Sequence, residues 1–163
     1  MVDWETGVLG KGSATGNLSE DDVLELVVQA LGPLDLRGRR VLVLIPDSTR
    51  TAPIPLFFRL FHEALWGRFA ALDYLVALGT HQLMSEKGLN RLVGITAEER
   101  RTTYASVNLF NHRWDLPGTL TTVGVIPADE IEQLSGGLLA QDVPVTVNRL
   151  VLEYDVLIVC GPV

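Results

Sequence analysis

Residues 40–53 read RVLVLIPDSTRTAP, and this stretch decides the fold. Its first half, Arg40 to Ile45, is a continuous apolar run rich in β-branched residues and closed by Pro46. That is the pattern of a strand buried on both faces of a parallel sheet. The second half places five polar residues in succession, Asp47 to Thr51, directly past the strand. In open α/β sheets ligands bind beyond the carboxyl ends of the strands, where loops leave the sheet, so the same fourteen residues predict both a core and a site.

On the N-terminal side, Ser19 and Asp22 form an S-x-x-D box ahead of Val23, Leu24, Leu26, Val27, Val28, Ala30 and Leu31. This predicts a capped helix that stops at Gly32 and Pro33. On the C-terminal side, Leu56, Phe57, Leu60, Phe61, Ala64, Leu65 and Phe69 recur at three- and four-residue spacing, which predicts a second helix from Pro55 to Phe69. Ala70 to Leu78, AALDYLVAL, reads as a second buried strand, followed by a loop from Gly79 to Met84. A short helix flanked by Ser85 and Gly88 runs through Val93, and Thr96 caps another through Arg100. Strands are expected at Tyr104 to Val107, Leu120 to Ile126 and Asp155 to Val159, with a helix from Pro127 to Leu134 and a loop over 134–142. Residues 1–17 are Gly-rich and patternless and read as an N-terminal arm. The alternation over 18–163 predicts an α/β domain: a mostly parallel, Rossmann-like sheet with helices on both faces. The last strand ends two residues from the C-terminus, so the sheet is expected to be incomplete and the chain to be a piece of a longer polypeptide.

Composition removes several classes of function. Thirteen Lys and Arg stand against 20 Asp and Glu in 163 residues, a net charge of −7. A polyphosphate partner would be repelled, and nucleic acid is not expected. One cysteine, Cys160, excludes an internal disulfide and a paired-cysteine zinc site, which fits a reducing, cytoplasmic setting. Met1 to Gly10 carries Asp3 and Glu5 and no long apolar stretch, so neither a signal peptide nor a membrane anchor is expected. The phosphate loop G-x-x-x-x-G-K-[ST], a G-x-G-x-x-G after the first strand, the G-x-S-x-G elbow and H-E-x-x-H are all absent.

The candidate site residues lie on strand-end loops. Arg50 carries a rigid, permanently charged fork suited to a carboxylate, and Asp47 could orient that fork or accept a proton. Thr49 and Ser48 add donors beside the next helix, although Asp47 and Ser48 in this setting also suit an ordinary Asx turn. The second loop offers Thr80 and His81 behind Gly79. Histidine titrates near neutrality, so His81 is placed as a general acid or base. A third polar loop, Asn108 to Pro117, contains Asn111, His112, Arg113, Trp114 and Asp115, and reads equally as a ligand-facing loop or as a turn pairing Arg113 with Asp115.

The order strand, D-x-T-R at Asp47 to Arg50, helix, strand, then G-T-H at Gly79 to His81 with M-S-E behind it resembles the N-terminal domain of the lactate racemase family. Asn111-His112 and the YDVLIVCG strand agree with it, and the resemblance runs from about Asp21 to the end. It implies an isomerase, a racemase or epimerase of a 2-hydroxy acid, working by proton-coupled hydride transfer to a nickel-pincer nucleotide. His81 matches one of the family's two catalytic histidines, Arg50 its substrate-binding arginine, and Asp47 the aspartate of the same loop. It further implies that the second histidine, the lysine bonded to the cofactor and a nickel-ligand histidine lie outside these 163 residues, so no metal ligand is expected within the chain. The partners implied are the remainder of the N-terminal domain and a C-terminal domain, without which the chain should not turn over substrate alone. Arg113 departs from the family, standing where many relatives have an acidic residue. The alternative reading is a non-catalytic module that binds a small anionic metabolite on the same loops.

Overall fold

A computed structural model describes residues 8–162. Five α-helices and six strands follow in the order α1 (Glu20–Leu31), β1 (Arg40–Ile45), α2 (Ile54–Leu65), β2 (Ala71–Val76), α3 (Glu86–Val93), α4 (Ala97–Arg101), β3 (Leu109–Asn111), β4 (Leu120–Ile126), α5 (Ala128–Leu134), β5 (Val143–Asn148) and β6 (Val156–Val159), with a 3-10 turn at Arg149–Glu153 before the last strand. Four strands form a parallel sheet in the order β3-β2-β1-β6, flanked by helices, and β4 pairs antiparallel with β5 as a separate ribbon. The α/β class read from the sequence is the observed one.

The apolar run of β1 earns its central place. Val41, Leu42 and Val43 are fully buried, and Val41, Val43 and Ile45 share one face with their β2 register partners Leu72, Tyr74 and Val76. That face packs against Val27 and Leu31 of α1, Phe58, Phe61 and Leu65 of α2, and Leu89 and Val93 of α3. Burying a side chain such as Phe58 contributes roughly 2–3 kcal/mol relative to leaving it in water. The helices start where their caps say they should: Ser19 and Asp22 close a capping box on α1, Ser85 accepts from the Gly88 amide on α3, and Thr96 with Glu99 closes a second box on α4. Gly94 ends α3 in the left-handed conformation, and a Cβ there would fall 2.6 Å from Pro55 Cβ, so the close approach of α3 to the start of α2 needs glycine.

Leu42, Asp73 and Leu75 point to the opposite face and are also buried. The charged member, Asp73, is satisfied by three donors. Its Oδ1 accepts from the Asn108 amide (2.6 Å) and Asn108 Nδ2 (3.0 Å), and its Oδ2 from the Tyr154 hydroxyl (2.7 Å). Arg40 lies over the Tyr154 ring, 4.4 Å from its centroid, and donates to the Glu153 carbonyl. One carboxylate thereby ties the start of β3 and the entry to β6 onto β2.

The structure corrects the reading of the sequence in several places. Tyr104 to Val107 is a turn with Tyr104 and Val107 buried and Ala105 and Ser106 exposed, not a strand; the third strand of the sheet is Leu109–Asn111. Apolar burial there comes from packing under α2, where Tyr104 lies 4.9 Å from Phe58 between ring centroids, and not from strand pairing. Leu120–Ile126 is a strand but belongs to the ribbon, and its partner Val143–Asn148 was not foreseen. The second helix ends at Leu65, four residues short of Phe69, because Trp66 adopts an extended conformation and Gly67 a left-handed one. Residues 8–17 are exposed or nearly so and carry neither helix nor strand; residues 1–7 of the arm lie outside the described residues. No helix among the described residues is long and apolar enough to cross a membrane.

Candidate active site

Strand order places the site. From β1 the chain moves outward through β2 to β3 and later returns to the other side of β1 as β6, so β1 and β6 flank the point where the order reverses. In sheets of this kind the loops diverge there and leave a crevice beyond the carboxyl ends. A cleft of about 560 Å³ occupies that position, walled by Asp47, Thr49 and Arg50 after β1, by Thr80 and His81 after β2, and by the segment that follows β6.

The loop after β1 folds locally as its residue types dictate. Asp47 Oδ1 accepts from the Thr49 amide (3.0 Å) and the Thr49 hydroxyl (2.5 Å), an Asx turn, and the Arg50 amide closes onto the Asp47 carbonyl (3.3 Å). The local turn and the contact across the fold therefore use different oxygens of Asp47. Oδ2 meets His81 Nδ1 at 2.5 Å, across 34 residues of sequence. The sequence suggested Asp47 as a partner for Arg50; the structure pairs it with His81 instead, because β1 and β2 are neighbours and their carboxyl ends lie side by side.

The loop after β2 turns back at Gly79, whose φ of +58° favours glycine, and the His81 amide closes onto the Leu78 carbonyl at 3.0 Å. A Cβ at Gly79 would meet nothing within 4 Å, so the demand for glycine there is conformational rather than steric. Three hydrogen bonds hold this loop, one from Trp114 in the β3–β4 connection and two from Asn111 at the end of β3. Trp114 Nε1 donates to the His81 carbonyl (3.0 Å), and Asn111 bonds both the amide (3.0 Å) and the carbonyl (2.9 Å) of Met84. Sequence reasoning missed the role of Trp114, since an indole donor leaves no pattern that names its acceptor.

Electrostatics follow from burial and bonding. The Asp47 side chain is 8% exposed while His81 is 55% exposed, so the carboxylate is sheltered and the imidazole reaches solvent. Burial pushes the Asp47 carboxyl up, but the hydrogen bonds from His81 and Thr49 and the His81 charge outweigh it and hold it at about 2. An ionised Asp47 orients the ring with Nδ1–H toward the carboxylate and leaves the Nε2 lone pair on the other side. Arg50 lines the same cleft, and among the described residues no carboxylate lies within 4 Å of its guanidinium.

The remaining candidates divide. Thr49 and Thr80 line the cleft; Ser48 is exposed and does not. Asn111 is occupied by Met84, and His112 Nδ1 pairs with Asn148 Nδ2 of β5 at 2.9 Å, so neither faces the cleft. Arg113 and Asp115 form an ion pair at 2.9 Å. Among the described residues no three His, Cys, Asp or Glu side chains converge as a metal-ligand set.

Fold and cleft together define an α/β domain whose strand-end crevice is lined by a guanidinium and by an aspartate–imidazole pair. The chain belongs to the lactate racemase family: residues 23–163 match the model of the lactate racemase N-terminal domain. It is also similar to a crystal structure of a Thermotoga maritima protein, with a TM-score of 0.73 and 28% identity over 87% of this chain. The chain spans 33% of the length of that protein. No curated protein matches the chain.

Proposed function

We propose that this chain supplies the substrate-positioning and proton-accepting half of a 2-hydroxyacid racemase or epimerase site. One observation carries the reading: His81 Nδ1 lies 2.5 Å from the sheltered Asp47 carboxylate, in the same cleft as Arg50. In this reading Arg50 takes the substrate carboxylate as a bidentate pair, which fixes the adjacent carbinol. His81 Nε2 accepts the hydroxyl proton, and the resulting imidazolium is stabilised by Asp47. Thr49 and Thr80 line the cleft as further hydrogen-bonding groups for the anion.

Loss of the hydroxyl proton drives hydride out of the carbinol carbon only if an acceptor is present. The family resemblance implies a nickel-pincer nucleotide for that task. The resemblance also implies that the nickel ligands, the covalent lysine and the histidine for the opposite face come from other parts of the family's fold. The residues here bind, orient and move one proton.

The test is turnover of a panel of 2-hydroxy acids by the complete, cofactor-loaded protein. His81→Ala should lower it by roughly 10²–10⁴-fold, the usual worth of a positioned general base, with the fold intact. Undiminished turnover would remove His81 from the mechanism. Binding of a 2-hydroxy acid that depends on Arg50, without any turnover in the loaded protein, would favour the metabolite-binding alternative.

A further inference from the structure

The antiparallel ribbon of β4 and β5 has no core of its own. No residue from Asn108 to Val159 is buried, and a two-stranded ribbon keeps its place only through what ties it to the rest of a fold. Among the described residues one hydrogen bond joins residues 120–148 to the chain before them, from Asn148 Nδ2 to His112 Nδ1 at 2.9 Å. His112 in turn is fixed to the parallel sheet, since its amide donates to the Val76 carbonyl at the end of β2 (3.1 Å).

The partners of Asn148 fix which group donates. Asn148 Oδ1 accepts from the Leu150 amide at 2.9 Å, which caps the 3-10 turn leading into β6, and a backbone amide can only donate. The Asn148 oxygen is thereby held on that side, its NH₂ faces His112, and Nδ1 has to accept. The bond therefore exists only for the neutral imidazole with its proton on Nε2. Protonation puts a second N–H at Nδ1, opposite the Asn148 NH₂. Asn148 then loses His112, or turns its oxygen to the ring and gives up the Leu150 amide; it cannot keep both. Among the described residues no carboxylate lies within 4 Å of the His112 ring. The charged or titratable groups on the elements around it are Arg113, paired with Asp115, Arg149 and Glu153 beside Asn148, and His81 on the loop after β2, bonded to Asp47.

We infer that His112 and Asn148 form a proton-operated joint between the ribbon and the parallel sheet, closed while His112 is neutral and opened, at His112 or at Leu150, when the ring takes up a proton. The joint bears on the strand-end cleft because Asn111 and Trp114, on either side of His112, bond the loop that carries His81. It rests on hydrogen-bond roles and does not depend on the racemase reading.

Nuclear magnetic resonance of the chain from about pH 8 to about pH 5, across the range in which histidines titrate, tests it. At the upper end His112 should show the Nε2–H tautomer. As the ring takes up its proton, hydrogen exchange of the Asn148 NH₂ or of the Leu150 amide, corrected for the intrinsic effect of pH, should speed up about three-fold or more, the worth of one neutral hydrogen bond. In His112→Asn the new Oδ1 stands in for Nδ1 as an acceptor that does not titrate, so both groups should stay slow throughout; in His112→Leu the Asn148 NH₂ should be fast throughout. Both variants keep the backbone bond to Val76, so the sheet should be unaltered. An Nδ1–H tautomer at the upper end, exchange that ignores the titration of His112, the same acceleration in His112→Asn, or a slow Asn148 NH₂ in His112→Leu would each overturn the inference.

Discussion

Two acidic side chains are buried among the described residues, Asp47 and Asp73, and they are bonded almost alike. Each Oδ1 accepts two bonds from a single residue, Thr49 two positions along or Asn108 from across the fold, and each Oδ2 accepts one from a side chain brought in across the fold, His81 or Tyr154. What differs is where the Oδ2 partner leads. Tyr154 ends the chain of bonds: burial and then Asp73 push its phenol further up, so its proton stays in place. His81 has a second ring nitrogen and reaches an open cleft. Burial and hydrogen-bond count therefore do not separate the carboxylate that ties strands together from the one proposed to assist chemistry; the proposal rests on the outlet of the bonded partner.

The sharpest way to break that contrast is Asp47→Asn. An amide in place of the carboxylate can turn its NH₂ toward Nδ1 and thereby favour the tautomer with the proton on Nε2, where the proposed base must be empty. Turnover by the complete protein should fall by about 10²–10⁴-fold, while the loss of stability should stay within the ~2 kcal/mol that the ionised carboxylate contributes, because the Thr49 contacts survive. Asp73→Ala should do the reverse. It strands the Tyr154 hydroxyl and both Asn108 donors, so urea unfolding should show a loss of about 3 kcal/mol. The affinity of the folded fraction for a 2-hydroxy acid should stay unchanged. If Asp47→Asn leaves turnover intact and Asp73→Ala lowers it, the distinction collapses.

Acid offers a finer cut. The Asp47 carboxyl, ordinarily near 3.8, is held at about 2 in the folded chain. Between those values the unfolded state binds more protons, so the contribution of Asp47 is fully present above about pH 4 and is lost as pH falls through about 2. It amounts to at most ~2 kcal/mol. Thr49→Val deletes the hydroxyl bond to Oδ1 and should raise the folded carboxyl's pKa, moving the acid limb of the stability curve to higher pH. An acid limb identical to that of the unaltered chain would show that Thr49 does not hold the charge.

How far the sequence could be read follows the same physics. The β1 strand was legible because cover on both faces leaves an unbroken apolar run, and α1 and α4 because their capping boxes are local. Arg50 and His81 could be assigned to strand ends, since a loop position depends only on where the strand stops. The Asp47–His81 bond could not, because it exists only once β1 and β2 are paired in register. Val143, Val145 and Val147 alternate, yet the reading of the sequence assigns no element to them; Pro144 is tolerated in the strand because β5 pairs with β4 alone and can spare an N–H. Tyr104 to Val107 misled in the opposite sense, since aromatic packing buries residues without giving them a ladder.

The smallest expected effect probes how the reactive side of the comparison is held. His81 gains its position from Asp47 through the ring and from Trp114 through the backbone, where the indole donates to the His81 carbonyl at 3.0 Å. Trp114→Phe keeps an aromatic ring and removes that donor. A single neutral hydrogen bond on a half-exposed loop is worth about 1 kcal/mol or less, so stability should barely move. The same amount spent on aiming His81 should lower kcat by about three- to five-fold with KM nearly constant, because Arg50 rather than His81 holds the ground state. A rise in KM with kcat untouched would mean that Trp114 shapes the cleft for binding and leaves the imidazole's aim to Asp47 alone.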